Sequence, residues 1–238
     1  MVQATKKSEY KSVRKLQQIQ QEKQRKRMKK LIWGTGIVVV ALIIVALIFA
    51  PKNDTTFNYD QIPTLGKADA PIKIVEFGDY KCPVCKDFRE KIEQPLKKDF
   101  IDKGTASFSF MNFTIISEDS KTAALAGQSI YHQNKDEFWK FYDAIYTNQG
   151  SETVAWATPD YLVELAKREK LAVDYDKLKS DIVNGTYQSE VAAHYAKAQK
   201  LNLNSTPSIF INGVQFKGNI LDYDAIKKAI EQAQKDLK

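Results

Sequence analysis

Polar and apolar positions divide the 238 residues into three unlike stretches. Residues 1–30 are polar, with only a weak stripe of Val13, Leu16 and Ile19 at helical spacing. Residues 31–50 read LIWGTGIVVVALIIVALIFA, with Thr35 the one clearly polar side chain. At about 1.5 Å per residue such a helix spans roughly 30 Å, the thickness of a bilayer core. This predicts one N-terminal transmembrane helix. Beyond residue 50 the apolar positions recur with the periods of strands and helices.

Residues 51–61 are polar and turn-rich, a short tether. Ile72, Ile74, Val75 and Phe77 follow Pro71 and predict a strand buried on both faces. Cys85, Phe88, Ile92 and Leu96 give one apolar face to a helix from about Cys82 to Phe100, and Pro95 predicts a kink in it. Residues 105–116, TASFSFMNFTII, read as a second strand through Phe108, Phe110 and Phe113. From Ser120 to about Leu201 the pattern is helical throughout. Its marks are an Ala-rich run to His132, then Phe138, Phe141, Tyr142 and Ile145, a start at Thr158-Pro159-Asp160, the trio Leu178, Ile182 and Val183, and Gln188 to Lys200. Strands return at Ser208–Asn212 and Val214–Lys217, around the hairpin signal Asn212-Gly213. A last amphipathic helix runs from Asp222 through Tyr223, Ile226, Ala229, Ile230 and Ala233. A βαβ half and a ββα half around an inserted all-helical block make an α/β fold. The two halves are residues 62–119 and 201–238, and the insertion is residues 120–200.

Charge changes the picture. The formal net charge of +7 invites a nucleic-acid-binding reading. Residues 1–30 hold eleven basic and two acidic residues, residues 31–50 none, and the remainder nets −2. The basic character belongs to the tail, so no nucleic acid partner is expected of the body. The basic run ends at Lys30, against the apolar stretch, which puts residues 1–30 in the cytoplasm and residues 51–238 outside. Trp33 suits an interfacial aromatic belt, and Phe49 sits near the opposite interface. A cleaved signal peptide has an apolar core of about 7–15 residues, shorter than this one. Cleavage after Ala50 would also put Ile48 where a small residue is preferred. An uncleaved single-pass anchor in the cell membrane is expected.

The only two cysteines, Cys82 and Cys85, lie in YKCPVCK where the first strand gives way to the first helix. Two intervening residues on a helical turn bring both sulfurs to one side. Free N–H groups and the dipole of a helix N-terminus favour a thiolate. Pro83 fits the first helical position, where its missing N–H costs nothing. Cys82 is then the exposed, low-pKa attacker, and Cys85 lies deeper and resolves the mixed disulfide. Three alternatives compete. A zinc site lacks two ligands, since His132 and His194 lack ligand spacing, so no metal site is expected. A structural disulfide over so short a loop stabilises little. Inert buried thiols fit poorly with a place at a strand end, where α/β sites form.

EFGDYKCPVCKDF, followed far downstream by NSTPSIFINGVQF, resembles the DsbA-like thiol–disulfide oxidoreductases of the thioredoxin superfamily, in their membrane-anchored form. The resemblance covers residues 57–238 and includes the helical insertion. It implies Cys82 as nucleophile and Cys85 as resolving thiol. It places Pro207, preceded by Thr206, at the family's cis-proline, whose loop offers a backbone edge to an extended substrate. Glu76, six residues before Cys82 in an apolar strand, has the raised pKa of a buried carboxylate and can relay a proton to or from Cys85. The alternative is a carboxylate that reaches solvent at the strand end. Lys81 and Lys86 can favour the thiolate but read as solvated. Val84, between Pro83 and Cys85, tunes the thiolate with neither charge nor donor, which leaves the redox potential open. Phe138, Trp139, Phe141, Tyr142 and Tyr146 read as core packing, or more sharply as the border of an apolar groove.

The resulting expectation is a membrane-anchored, extracytoplasmic enzyme that passes its Cys82–Cys85 disulfide to reduced cysteines of translocated proteins. The resemblance implies reoxidation by a quinone-linked membrane partner. The enzyme would be a monomer and need no soluble cofactor, and a structural cation is left open. The alternatives are a reductase or isomerase of the same fold and a non-enzymatic secretion chaperone.

Overall fold

The computed structural model describes residues 55–237, together with Arg25, Met28 and Trp33, which are helical and exposed. Otherwise the expected basic tail and transmembrane helix lie outside the described residues. Among the described residues no helix is long and apolar enough to cross a membrane.

Strand β1 (Thr64–Leu65) is followed by β2 (Ile72–Gly78). Helix α1 opens as Pro83–Phe88 and continues through Arg89–Glu93, Gln94–Leu96 and Lys97–Ile101. Strand β3 (Ala106–Asn112) precedes the insertion of five helices. These are α2 (Glu118–Gln133), α3 (Lys135–Thr147), α4 (Pro159–Arg168), α5 (Tyr175–Asn184) and α6 (Gln188–Lys200). Strands β4 (Ser208–Ile211) and β5 (Val214–Gln215) and helix α7 (Tyr223–Asp236) close the fold. The sheet order is β1-β3-β2-β4-β5, with β2 parallel to β3 and the other pairs antiparallel.

Alternation along β2 sorts its side chains. Ile72 and Ile74 join the large core with Phe108, Phe110, Ile209 and Ile211, beneath α1, α7 and the insertion. Val75 and Phe77 face the other way, toward Met111, Phe210 and the C-terminal end of α6. Period-two geometry therefore puts Glu76 on the α1 side, facing Phe110 of β3 and Ile209 of β4 in register.

Several expectations change. Pro95 disturbs the helix as π turns on both sides of Gln94–Leu96, because its missing N–H breaks the regular ladder. The second strand stops at Asn112, not residue 116, since the N–H groups of Ile115 and Ile116 turn to the Asp79 carboxylate. The block expected to be helical throughout is broken at residues 148–158, a non-helical loop between α3 and α4. Val183 is 64% exposed, and Asp181 takes the buried place beside Ile182. Part of the expected tether is packed instead. The Phe57 ring lies 6.0 Å from Phe77 and 5.6 Å from Phe210. The hairpin is as expected at its turn. Asn212 and Gly213 both adopt positive φ, 48° and 79°, as a tight two-residue turn requires.

Phe138 of α3 is fully buried in the large core. Phe138→Ala is expected to lower the unfolding free energy of the chain by about 3–5 kcal/mol in a urea titration. Lys228→Ala on α7 is expected to change it by under about 0.5 kcal/mol.

Candidate active site

The turn from β2 into α1 is held from several sides. The Cys82 N–H donates to the Asp79 carbonyl at 3.0 Å, and Cys82 is the N-cap residue of α1 with Pro83 after it. The Cys82 carbonyl accepts from the N–H groups of Cys85 at 3.1 Å and Lys86 at 3.2 Å. The Asp79 carboxylate accepts from the backbone of Lys81, Ile115 and Ile116 at 2.9–3.0 Å. The Gln149 side-chain amide donates to the carbonyls of Tyr80 at 2.9 Å and Cys82 at 3.0 Å. The Tyr146 hydroxyl donates to the Asp79 carbonyl at 3.3 Å.

Both cysteines are free thiols. The expected exposed attacker is in fact covered, since Cys82 is 4% exposed. Its Sγ donates to the Thr206 carbonyl at 3.3 Å, and the Thr206-Pro207 bond is cis. The Cys85 thiol and the N–H groups of Cys85 and Val84 favour the anion against the cost of burial, and they draw the Cys82 pKa down to about 6. Cys85 is fully buried, and burial pushes its thiol well above the ordinary range. Its bond to Cys82 and the nearby Glu76 add to that effect. Two identical groups one turn apart are thereby made unlike.

Glu76 reaches no solvent, which settles between the two expectations for it. The Tyr142 hydroxyl donates to its Oε2 at 2.8 Å, and Oε1 has no partner among the described residues. Burial drives its pKa up to about 8. The Tyr142 bond opposes this shift, and Glu93 and Cys82 reinforce it.

Lys81 was expected to be solvated and is fully buried. Its Nζ pairs with Asp119 Oδ1 at 2.6 Å and donates to the Val154 carbonyl at 2.8 Å. Lys86 is partly buried. The aromatic residues of α3 are core rather than a groove, since Phe138, Phe141, Tyr142 and Tyr146 are buried and only Trp139 is partly exposed. The apolar side chains that do reach solvent near the turn are Val84, Ile115 and Val154. Both histidines are helix residues remote from the thiols in their contacts. His194 Nδ1 accepts from the Asn112 backbone at 3.3 Å, and His132 Nε2 lies 2.8 Å from Glu190. Among the described residues no cluster of three or more His, Cys, Asp or Glu is arranged to hold a metal.

A thiol poised to ionise beside one that resists it is the chemistry of dithiol–disulfide exchange. The family described as thioredoxin matches residues 59–232. Disulfide bond formation protein D of Bacillus subtilis is 40% identical over 173 residues, covering 73% of this chain and 77% of that protein. The probable disulfide bond formation protein D of Bacillus cereus is 40% identical over 186 residues, covering 77% and 84%. The crystal structure of oxidised BdbD from Bacillus subtilis superposes with a TM-score of 0.71 at 39% identity, covering 75% of this chain and 95% of that one. DsbA of Chlamydia trachomatis shares the fold, with a TM-score of 0.66 at 24% identity over 76% and 94%. The molecule is thus a thiol–disulfide oxidoreductase of the thioredoxin fold. It belongs to the family of disulfide bond formation protein D.

A carboxyl whose folded pKa is raised contributes stability that is complete below its unfolded pKa and is lost as pH rises toward the folded value. For Glu76 that window runs from about 4.3 in the unfolded chain to about 8 in the folded one. Glu76→Gln is therefore expected to stabilise the reduced protein at neutral pH by roughly 1–3 kcal/mol. It should also flatten the decline of stability across this window, as read by urea unfolding at several pH values.

Proposed function

We propose that the chain is a membrane-anchored, extracytoplasmic dithiol oxidase that donates its Cys82–Cys85 disulfide to reduced cysteines of translocated proteins. A substrate thiolate attacks Cys82 Sγ, the Cys82–Cys85 bond breaks, and Cys85 leaves as a thiolate that takes up a proton. A second substrate thiolate then attacks its own partner sulfur in the mixed disulfide. The substrate disulfide forms and Cys82 leaves as a thiolate. Two electrons have passed to the enzyme, and a quinone-linked membrane reoxidase removes them.

The observation that carries this reading is the Cys82 pKa of about 6 beside a Cys85 pushed well above its ordinary range. A low-pKa thiol is a good leaving group, so a disulfide that releases Cys82 is a strong oxidant. Glu76 supplies the proton that Cys85 takes up. Thr206 and Pro207 offer backbone to an extended substrate beside the sulfur, in the manner of strand addition. Pro83 starts the helix that lowers the Cys82 pKa. Val84 adds no charge of its own and leaves the tuning to backbone N–H groups. The run of basic residues before residues 31–50 supports an anchor with its N-terminus cytoplasmic. The enzyme acts as a monomer without a soluble cofactor or nucleic acid, held to the lipid bilayer through residues 31–50.

Equilibration of the full chain with glutathione is expected to give a reduction potential above roughly −200 mV. A value well below that makes the protein a reductase or isomerase. Cys85→Ser is expected to accumulate mixed disulfides with substrate, and Cys82→Ser none. Unchanged dithiol oxidation by both variants would leave only a chaperone. The anchored form is expected to resist alkaline extraction from membranes, with residues 51–238 open to protease added outside the cell. Release into the soluble fraction contradicts the anchor.

A further inference from the structure

The oxidase reading above, on which this inference rests, asks Glu76 to protonate Cys85 at every turnover. Glu76 has no face on the surface. It is fully buried, β3 and β4 flank it, and the Tyr142 hydroxyl covers Oε2. A second carboxylate lies on the helix that carries Cys85. Where α1 opens into the π turn Arg89–Glu93, both Ile92 and Glu93 become buried, with Glu93 2% exposed. π turns of this kind recur at functional sites. Glu93 has no ion-pair partner among the described residues, and its carboxylate is bonded only by the side-chain amide of Gln94 at 3.1 Å. A carboxylate so buried without an ion pair calls for a reason.

Its charge is felt by Glu76 and by Tyr142. On α1 it follows Arg89 by about one turn, and the Arg89 partner Asp143 adjoins Tyr142 on α3. The Asp143 charge raises its pKa, and Arg89 and Lys97 lower it. Arg89 donates to Asp143 Oδ1 through Nε at 2.9 Å and through a terminal nitrogen at 2.7 Å, and the Asp143 side chain is 48% exposed. Helix spacing and hydrogen bonds thus gather these groups between α1 and α3: Cys85, Arg89 and Glu93 follow one another at four-residue intervals on α1, and the neighbours Tyr142 and Asp143 of α3 bond Glu76 and Arg89. Burial, with the Glu76 charge adding to it, holds the phenols of Tyr80 and Tyr146 neutral. Cys82 is the remaining titratable neighbour of Glu76. Burial, opposed by Arg89 and Lys97, lifts Glu93 to about 7, where a carboxyl both holds and releases a proton at neutral pH.

We propose that Glu93 is a positioning residue of the dithiol chemistry, the relay that recharges Glu76 with protons from solvent at the Arg89–Asp143 edge. When Cys85 leaves as a thiolate, the Glu76 carboxyl protonates it and becomes a carboxylate. The Glu93 carboxyl returns a proton to Glu76, and water replaces the proton on Glu93. No electrons move along the relay. On reoxidation of the dithiol the proton runs outward by the same groups.

The test uses the full chain in detergent micelles and follows reduction of its Cys82–Cys85 disulfide by dithiothreitol across pH. Glu93→Gln is expected to slow reduction about tenfold near neutral pH. The rate profile should lose its inflection near pH 7, while the thiolate titration of Cys82 stays at about 6. Glu93→Asp should restore an inflection, displaced with the new carboxyl, and much of the rate. A folded Glu93→Gln variant with the wild-type rate and profile overturns the relay and leaves the oxidase reading intact. Slowing by both variants alike, with a displaced Cys82 titration, shows a merely structural role and also overturns it. If Glu93→Gln does not fold, the Glu93→Asp profile decides, since an inflection unchanged from wild type overturns the proposal. A wild-type disulfide that fails to oxidise dithiols overturns the oxidase reading and the relay together.

Discussion

Burial of Glu76 and Cys85 without a charge partner governs the redox site. Strand β2 lies between β3 and β4, and its even-numbered side chains point beneath α1 and the insertion. Glu76 and Cys85 both fall there, in a volume lined by Phe110, Phe138, Tyr142 and Tyr146. A charge on either group is expensive in such surroundings. Cys82 sits one turn nearer the helix start, where the N–H groups of Val84 and Cys85 and the Cys85 thiol solvate an anion. The contrast between the two sulfurs is therefore a contrast between two solvents, one of apolar side chains and one of backbone dipoles.

The insertion takes part in that contrast. Its loop of residues 148–158 places Gln149 on the carbonyls of Tyr80 and Cys82, and the Val154 carbonyl on Lys81. Asp119, near the start of α2, completes the buried pair with Lys81. Replacing one member of such a pair leaves an uncompensated charge, which costs far more than the intact pair contributes. The turn that carries Cys82 is thus fixed by elements 38 to 73 residues away in sequence. Tyr142, also from the insertion, holds Glu76. The five helices are the outer wall of the redox site as well as a cover for the sheet.

What could be read in the sequence was local. The pair Cys82 and Cys85, Pro83 at the first helical position, Asn212-Gly213 at the hairpin and the amphipathic α7 each declare themselves within a few residues. The Thr206-Pro207 segment was legible through a family resemblance, and the structure places it against Cys82. Long-range pairing was not legible. Lys81 read as a solvated lysine because Asp119 and Val154 are distant in the chain. The strand expected to reach residue 116 has the right alternation, but the Asp79 carboxylate takes its N–H groups. Thr64–Leu65 is too short to show a period. Glu93 reads as one more charge on an amphipathic helix, and in the structure it is buried at the end of the π turn Arg89–Glu93. Phe57 read as part of a tether because its partners Phe77 and Phe210 lie on strands far along the chain.

The central claim is that the fold ionises one thiol and keeps the other neutral. The ultraviolet absorbance of thiolate in the reduced protein, titrated against pH and corrected with the oxidised form, measures this directly. The account predicts a single step near pH 6, with the amplitude of one thiolate, lost in Cys82→Ser and kept in amplitude but moved upward in Cys85→Ser, which replaces the thiol that most favours the anion. A first step near the ordinary thiol value of about 8.5, or two thiolates ionising together, would contradict it.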